Sequence, residues 1–187
     1  MLRTKLLVLP AILVICISAP PLPETEMLQE SVTMVTPVSS KDLFTPLPIE
    51  LDEALQRYTY QRCQELDVPF ALALAMMWNE SRFTPDIVSA DGKDYGLFQL
   101  RKAYHQGDLL DPYHNIDTAL KLLSTYLEQQ DGDVTRALMM YNCGPTGAKR
   151  LWSRGKTETV YVRKILNKAD EYRPLLEHPP MAQLLLV

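Results

Sequence analysis

From Ile49 onward the apolar positions fall at helical intervals, with Leu51, Leu55, Tyr58 and the Arg62–Cys63 pair recurring every three or four residues as far as Leu66. One apolar stripe on one face predicts a helix there. Pro69 follows, placed like a first-turn proline, and Phe70 to Trp78 is apolar around its whole circumference, which predicts a buried helix. Thr84 to Tyr95 has no period and reads as a loop, with room for short β-structure between Val88 and Leu97. Ile116, Leu120, Leu123 and Leu127 predict an amphipathic helix over Asn115 to Gln129, ended by Asp131-Gly132-Asp133. Asp133 can cap a further helix through Met140 that stops at Gly144-Pro145, and shorter helices are expected around Ala148 to Trp152 and Glu158 to Tyr172. The pattern is therefore mainly α, with at most a minor β element and no internal repeat.

The flanks have a different texture. Arg3 and Lys5 precede an apolar run, Leu6 to Ile17, that is followed by Ser18, Ala19 and prolines. This reads as an export signal over residues 1–18, cleaved or kept as an anchor. Pro10 interrupts the run, which is shorter than the roughly 20 residues that span a bilayer, so a permanent transmembrane helix fits less well. The large Ile15 beside Cys16 argues against lipid attachment there. Residues 19–48 carry Pro20, Pro21, Pro23, Pro37, Pro46 and Pro48 without a period and read as a linker. The folded domain is expected over 49–173, with 174–187 as a tail. This organisation implies an extracytoplasmic protein, secreted, wall-held or anchored, that touches membrane only through its N-terminal segment. In that compartment Cys63 and Cys143 could pair or remain two buried free thiols.

Composition narrows the function classes. The formal charge of −4 argues against a general nucleic-acid binder, whose footprint is a strong basic excess. His105, His114 and His178 lack metal-ligand spacing, and with two cysteines outside the signal no zinc set assembles, so neither metal nor cofactor is expected. No Gly-x-Ser-x-Gly element or phosphate-cradling glycine loop supports an esterase or a nucleotide-driven enzyme.

Candidate chemistry centres on Glu80, which follows Trp78-Asn79 at the carboxyl end of the apolar helix. Desolvation and the negative end of the helix dipole both disfavour its carboxylate, and both should raise its proton affinity toward the range useful for proton donation. Around it stand Glu80-Ser81-x-Phe83-x-Pro85, Val88-Ser89, Gly96-Leu97-Phe98-Gln99, Asn115-Ile116, Tyr141-Asn142-x-Gly144-Pro145 and Glu158-Thr159-x-Tyr161-Val162. Each is weak alone. In this order and at these intervals, over most of Leu55 to Leu166, the chain resembles the soluble lytic transglycosylase domain of the lysozyme superfamily.

That resemblance implies a lysozyme-like, goose-type helical domain that cleaves the β-1,4 bond between N-acetylmuramic acid and N-acetylglucosamine in peptidoglycan glycan strands. Its product would be a 1,6-anhydro sugar. Glu80 matches the single catalytic glutamate, Ser81 its neighbouring serine and Gln99 the glutamine lining the sugar groove. Tyr141 and Asn142 match the last groove motif, the Tyr141 hydroxyl being the expected partner orienting Glu80 and Asn142 a contact for an N-acetyl group or a backbone brace. Gly96 would permit close approach of a sugar or a positive φ. Phe98 stands where the family usually has methionine, preserving an apolar contact surface with a different shape.

Two alternatives stay open. Asp91 or Asp94, in a loop more charged than the common form, could supply the second carboxylate of a hydrolytic, goose-type lysozyme. A wall-binding module without activity would keep the groove but has no need of Glu80. The basic series Lys149, Arg150, Arg154, Lys156, Arg163, Lys164 and Lys168 reads as a solvated face, although it could steer an anionic glycan. Cell-envelope or secretion machinery is a possible partner.

Overall fold

The computed structural model describes residues 44–177. The signal-like segment, most of the proline-rich stretch, and residues 178–187 with His178 lie outside them. Five helices and one short hairpin make up the described body: α1 (Glu53–Glu65), α2 (Phe70–Ser81), β1 (Asp94–Tyr95), β2 (Leu100–Arg101), α3 (Pro112–Gln129), α4 (Val134–Trp152) and α5 (Val160–Glu177). The mainly α architecture agrees with the periodicity.

Helix α2 is the axis of the core. Ala73, Leu74, Ala75, Met76 and Met77 have no exposed surface. The helix packs chiefly on α5 and more lightly on α1, while α3 packs on α4 and α1. An apolar surface on every side of α2 can be satisfied only by neighbours all round, which is the arrangement found. Ser124 Oγ on α3 donates to the Leu66 carbonyl at the end of α1 (2.8 Å), and Arg62 on α1 reaches Asp117 on α3 (2.6 Å).

Several boundaries move from their expected places. The first helix starts at Glu53 because Asp52 caps it, its carboxylate accepting from the Ala54 (2.8 Å) and Leu55 (3.4 Å) amides. Residues upstream are nonetheless part of the body. Phe44 is buried against the Tyr60 and Phe70 rings, with centroids 5.0 and 5.9 Å away. Leu47 is buried too, and its amide and carbonyl are both bonded by the Gln56 side chain. The end of the proline-rich stretch is thus docked structure, and the expected domain start at 49 is moved upstream to at least Phe44. At the other end α5 continues through Pro174 to Glu177, with Leu175 and Leu176 packed on the core, so the first residues assigned to a tail are helical.

Helix α3 begins at Pro112, three residues early, because Asp111 accepts from the Tyr113 amide (3.0 Å) and Pro112 occupies the first turn. In α4, Asp133 caps the start as expected by accepting from the Arg136 amide (3.0 Å). The expected stop at Gly144 is a kink: φ 69° and ψ 162° suit only a residue without Cβ, and Pro145 restarts the helix where a missing N–H costs nothing. The segment around Ala148 to Trp152 is therefore the second limb of α4. The hairpin pairs Asp94 with Arg101 and Tyr95 with Leu100, and Val88 bridges Tyr95. Its second strand lies beyond the span expected for β-structure.

Candidate active site

Glu80 occupies the last turn of α2, half-buried where that helix meets the first turn of α5. The turn that ends α2 is sharp, with Arg82 (φ 53°) and Phe83 (φ 63°) both left-handed. Arg82 compensates for its strain locally. Its amide and its Nη1 both donate to the Trp78 carbonyl (3.2 and 2.7 Å), placing a cation at the negative end of the helix, and its guanidinium lies 3.4 Å from the Trp78 ring centroid. Phe83 is buried near the Tyr172 ring.

The hydroxyl of Tyr161 donates to Glu80 Oε1 at 2.6 Å. Burial pushes the Glu80 carboxyl above the ordinary glutamate range; the Tyr161 and Asn79 hydrogen bonds pull it back, and the negative charge of Asp94 adds to the rise. Burial and the nearby Glu80 charge hold the Tyr141 and Tyr161 phenols well above their usual range, so both hydroxyls are proton donors.

This geometry corrects one assignment. The Tyr141 hydroxyl donates to the Phe98 carbonyl (3.0 Å) and so braces the loop, and the hydroxyl bonded to the Glu80 carboxyl is that of Tyr161. Tyr161 was legible only as one letter of the last motif, and no local signal says which tyrosine reaches the acid.

The other candidates divide by exposure. Ser81 is buried and its Oγ donates to the Met77 carbonyl (3.0 Å), so it finishes the helix internally. The Phe98 ring is fully buried and offers no surface to a ligand, which replaces its expected role in the groove with one in the core. Gly96 has φ 74°, and a Cβ there would stand 2.5 Å from both the Leu109 carbonyl and Asn115 Nδ2. Its positive φ, one of the two expected readings, and the protein packed against it both require a residue without Cβ. Gln99, half-buried with φ 46°, donates through Nε2 to the Gly96 (3.0 Å) and Ile87 (3.3 Å) carbonyls. Asn142 is exposed beside the Gly144 kink.

Asn115 is the residue that ties this loop together. Fully buried, it accepts from the Phe98 amide (2.9 Å) and donates to the Tyr95 and Leu109 carbonyls (both 2.9 Å). The sequence signal was a polar side chain directly before the apolar Ile116, on the face that α3 buries.

The candidate second carboxylates are already engaged. Asp94 accepts two hydrogen bonds from Arg101, through Nε (2.8 Å) and Nη2 (2.9 Å). Asp91 is exposed and is bonded by Lys93 (3.0 Å) and Ser89 (2.8 Å), which hold its carboxyl down to about 2. The thiols do not pair: Cys63 is buried, and Cys143 is exposed instead of buried. Within the basic series, Arg163 pairs with Glu158, while Lys168 pairs with Glu171 and lies over the Trp78 ring. Two shallow hollows, one lined by Phe44, Tyr60 and Leu175 and the other by Leu66, Ser124 and Val134, lie away from Glu80.

Comparison with solved structures places the described fold beside lytic transglycosylase Slt from Pseudomonas aeruginosa, determined as an inactive glutamate-to-glutamine mutant. The TM-score is 0.55 at 21% identity, over 66% of this chain and 24% of that one. This chain therefore spans about a quarter of that protein's length, and at such identity the likeness is one of fold. The sequence match is independent of it, covering the Tyr58-to-Tyr161 stretch that begins in α1 and ends on the tyrosine bonded to Glu80. Through that match, over residues 58–161, the chain belongs to the Transglycosylase SLT domain family.

Proposed function

We propose that this protein is a peptidoglycan lytic transglycosylase acting outside the cytoplasm, with Glu80 as its acid and then its base. The observation that carries the reading is a single half-buried carboxyl held by a tyrosine hydroxyl at 2.6 Å, with its proton affinity raised by burial. Ser81, Gly96, Phe98 and Tyr141 support the site from within, and Gln99 and Asn142 are left as the groove contacts.

In this mechanism the protonated Glu80 gives its proton to the glycosidic oxygen following an N-acetylmuramyl unit, and the C1–O bond breaks. The substrate's acetamido group stabilises the positive C1. The resulting carboxylate takes the proton of the C6 hydroxyl, whose oxygen closes on C1, so one proton is given, one is recovered and no water is consumed. Tyr161 stabilises the ionised form between the two transfers. Engagement of Asp94 by Arg101 favours this one-carboxylate reading over a hydrolase, which needs a second carboxylate free to activate water or attack C1.

Digestion of purified sacculi, with masses of the released muropeptides, tests the reading. Anhydro-muramyl ends are expected. Exclusively hydrated reducing ends would identify a hydrolase, and reversible binding without release would identify a wall-binding module.

Tyr161→Phe tests the orienting bond. We expect kcat to fall about 10- to 100-fold with little change in KM, since the hydroxyl acts on the carboxyl and not on the substrate. Removing a bond that favours the carboxylate raises Glu80's proton affinity further, so the alkaline limb of the kcat profile should move to higher pH. An unmoved limb with full kcat would remove Tyr161 from the mechanism.

A further inference from the structure

Tyr104 is 77% exposed, the barest of the large apolar or aromatic side chains in the described body. The segment that presents it is firmly held. The Lys102 amide extends the hairpin by donating to the Lys93 carbonyl (2.9 Å), and the Tyr104 amide turns back onto the Arg101 carbonyl (2.9 Å). Lys102 Nζ donates to the Gly107 carbonyl (2.6 Å), His114 Nε2 meets the Gln106 carbonyl (2.9 Å), and Leu109 is buried just beyond. Six residues pinned at both ends hold one aromatic ring in water.

The position of that ring follows from the strand register. Asp94 stands opposite Arg101. Arg101 donates to the Asp94 carboxylate through Nε (2.8 Å) and Nη2 (2.9 Å), and its carbonyl takes the Tyr104 amide (2.9 Å). Asp94, Arg101 and Tyr104 thus follow one another through contacts of the hairpin, and the first of them is the carboxylate whose charge acts on Glu80. Pyranose rings present C–H groups on their faces, which suit the negative face of an aromatic ring, and a glycan strand continues over further rings beyond the bond being cleaved.

We propose that Tyr104 is a stacking platform for a sugar ring of the glycan strand, remote from the bond being cleaved. The inference rests on the reading of Glu80 as the acid in a glycan-binding groove. Binding of peptide-free glycan strands, measured by calorimetry in a Glu80→Gln background so that no turnover intervenes, tests it. Tyr104→Ala should weaken binding roughly five- to tenfold, the order expected for one lost aromatic contact. Tyr104→Phe, which keeps the ring, should bind within about twofold of the parent on the same reasoning. Unchanged affinity in Tyr104→Ala would overturn the proposal, as would equal losses in both variants, which would assign the effect to the hydroxyl. Failure of the parent itself to bind strands would overturn the glycan reading, a result separable from either of these.

Discussion

Replacing Glu80 with glutamine is expected to lower muropeptide release from sacculi by roughly 10³-fold or more, because one group serves as both acid and base. The variant should stay folded. A glutamine Oε1 can still accept from the Tyr161 hydroxyl, and the exchange removes a carboxylate that burial disfavours. Its proton affinity is higher in the folded chain than in the unfolded one, so its ionisation costs stability. That cost is absent below the unfolded pKa, where the group is protonated in both states, and it builds as pH rises through the folded pKa. Thermal unfolding should therefore show Glu80→Gln at least as stable as the parent near neutral pH, with the advantage shrinking in acid. Full-rate release from the variant would end the proposed mechanism.

Asn115→Ala is expected to cost about 3–5 kcal/mol of folding stability, because two buried partners and one part-buried partner lose their hydrogen bonds together. The Phe98 amide and the Leu109 carbonyl lie too deep for water to replace the amide readily, while the Tyr95 carbonyl is part-buried. Against a typical total of about 5–15 kcal/mol this is a large fraction, and Tm should fall by roughly 10 °C or more. Asn115→Asp should be no better, since it keeps the acceptor for Phe98 but turns a carboxylate oxygen toward two carbonyls. Glycan cleavage should fall in both variants as the Gly96–Gln99 loop loosens. A Tm within about 2 °C of the parent in Asn115→Ala would show that the loop is held by other means.

Much of this molecule is readable from local pattern. The all-round apolar run of α2 predicts burial, Asp133 predicts a helix start, and Gly144-Pro145 predicts a break, because each depends on residues within a turn or two of one another. The acid is only half legible in this way: a carboxyl at the end of a buried helix starts from a poorly hydrated place, but a helix-end glutamate can also turn into solvent, and it is the family's motif order that singles out Glu80. The family's motif order added Gln99, Tyr141 and Asn142 as candidates but said nothing about which atoms meet.

Choice of partner belongs to the packed chain. Tyr141 and Tyr161 carry the same hydroxyl, and the docking of α5 on α2 decides that the one 81 positions from Glu80 reaches it while the other meets Phe98. Phe98 looks like a groove contact in a motif and becomes core once Asn115 pulls its backbone inward. Phe44 and Leu47 look like linker until Tyr60, Phe70 and Gln56 close over them. Periodicity and capping are short-range effects written in neighbouring residues, whereas a hydrogen bond between distant helices exists only after hydrophobic burial has fixed where those helices lie.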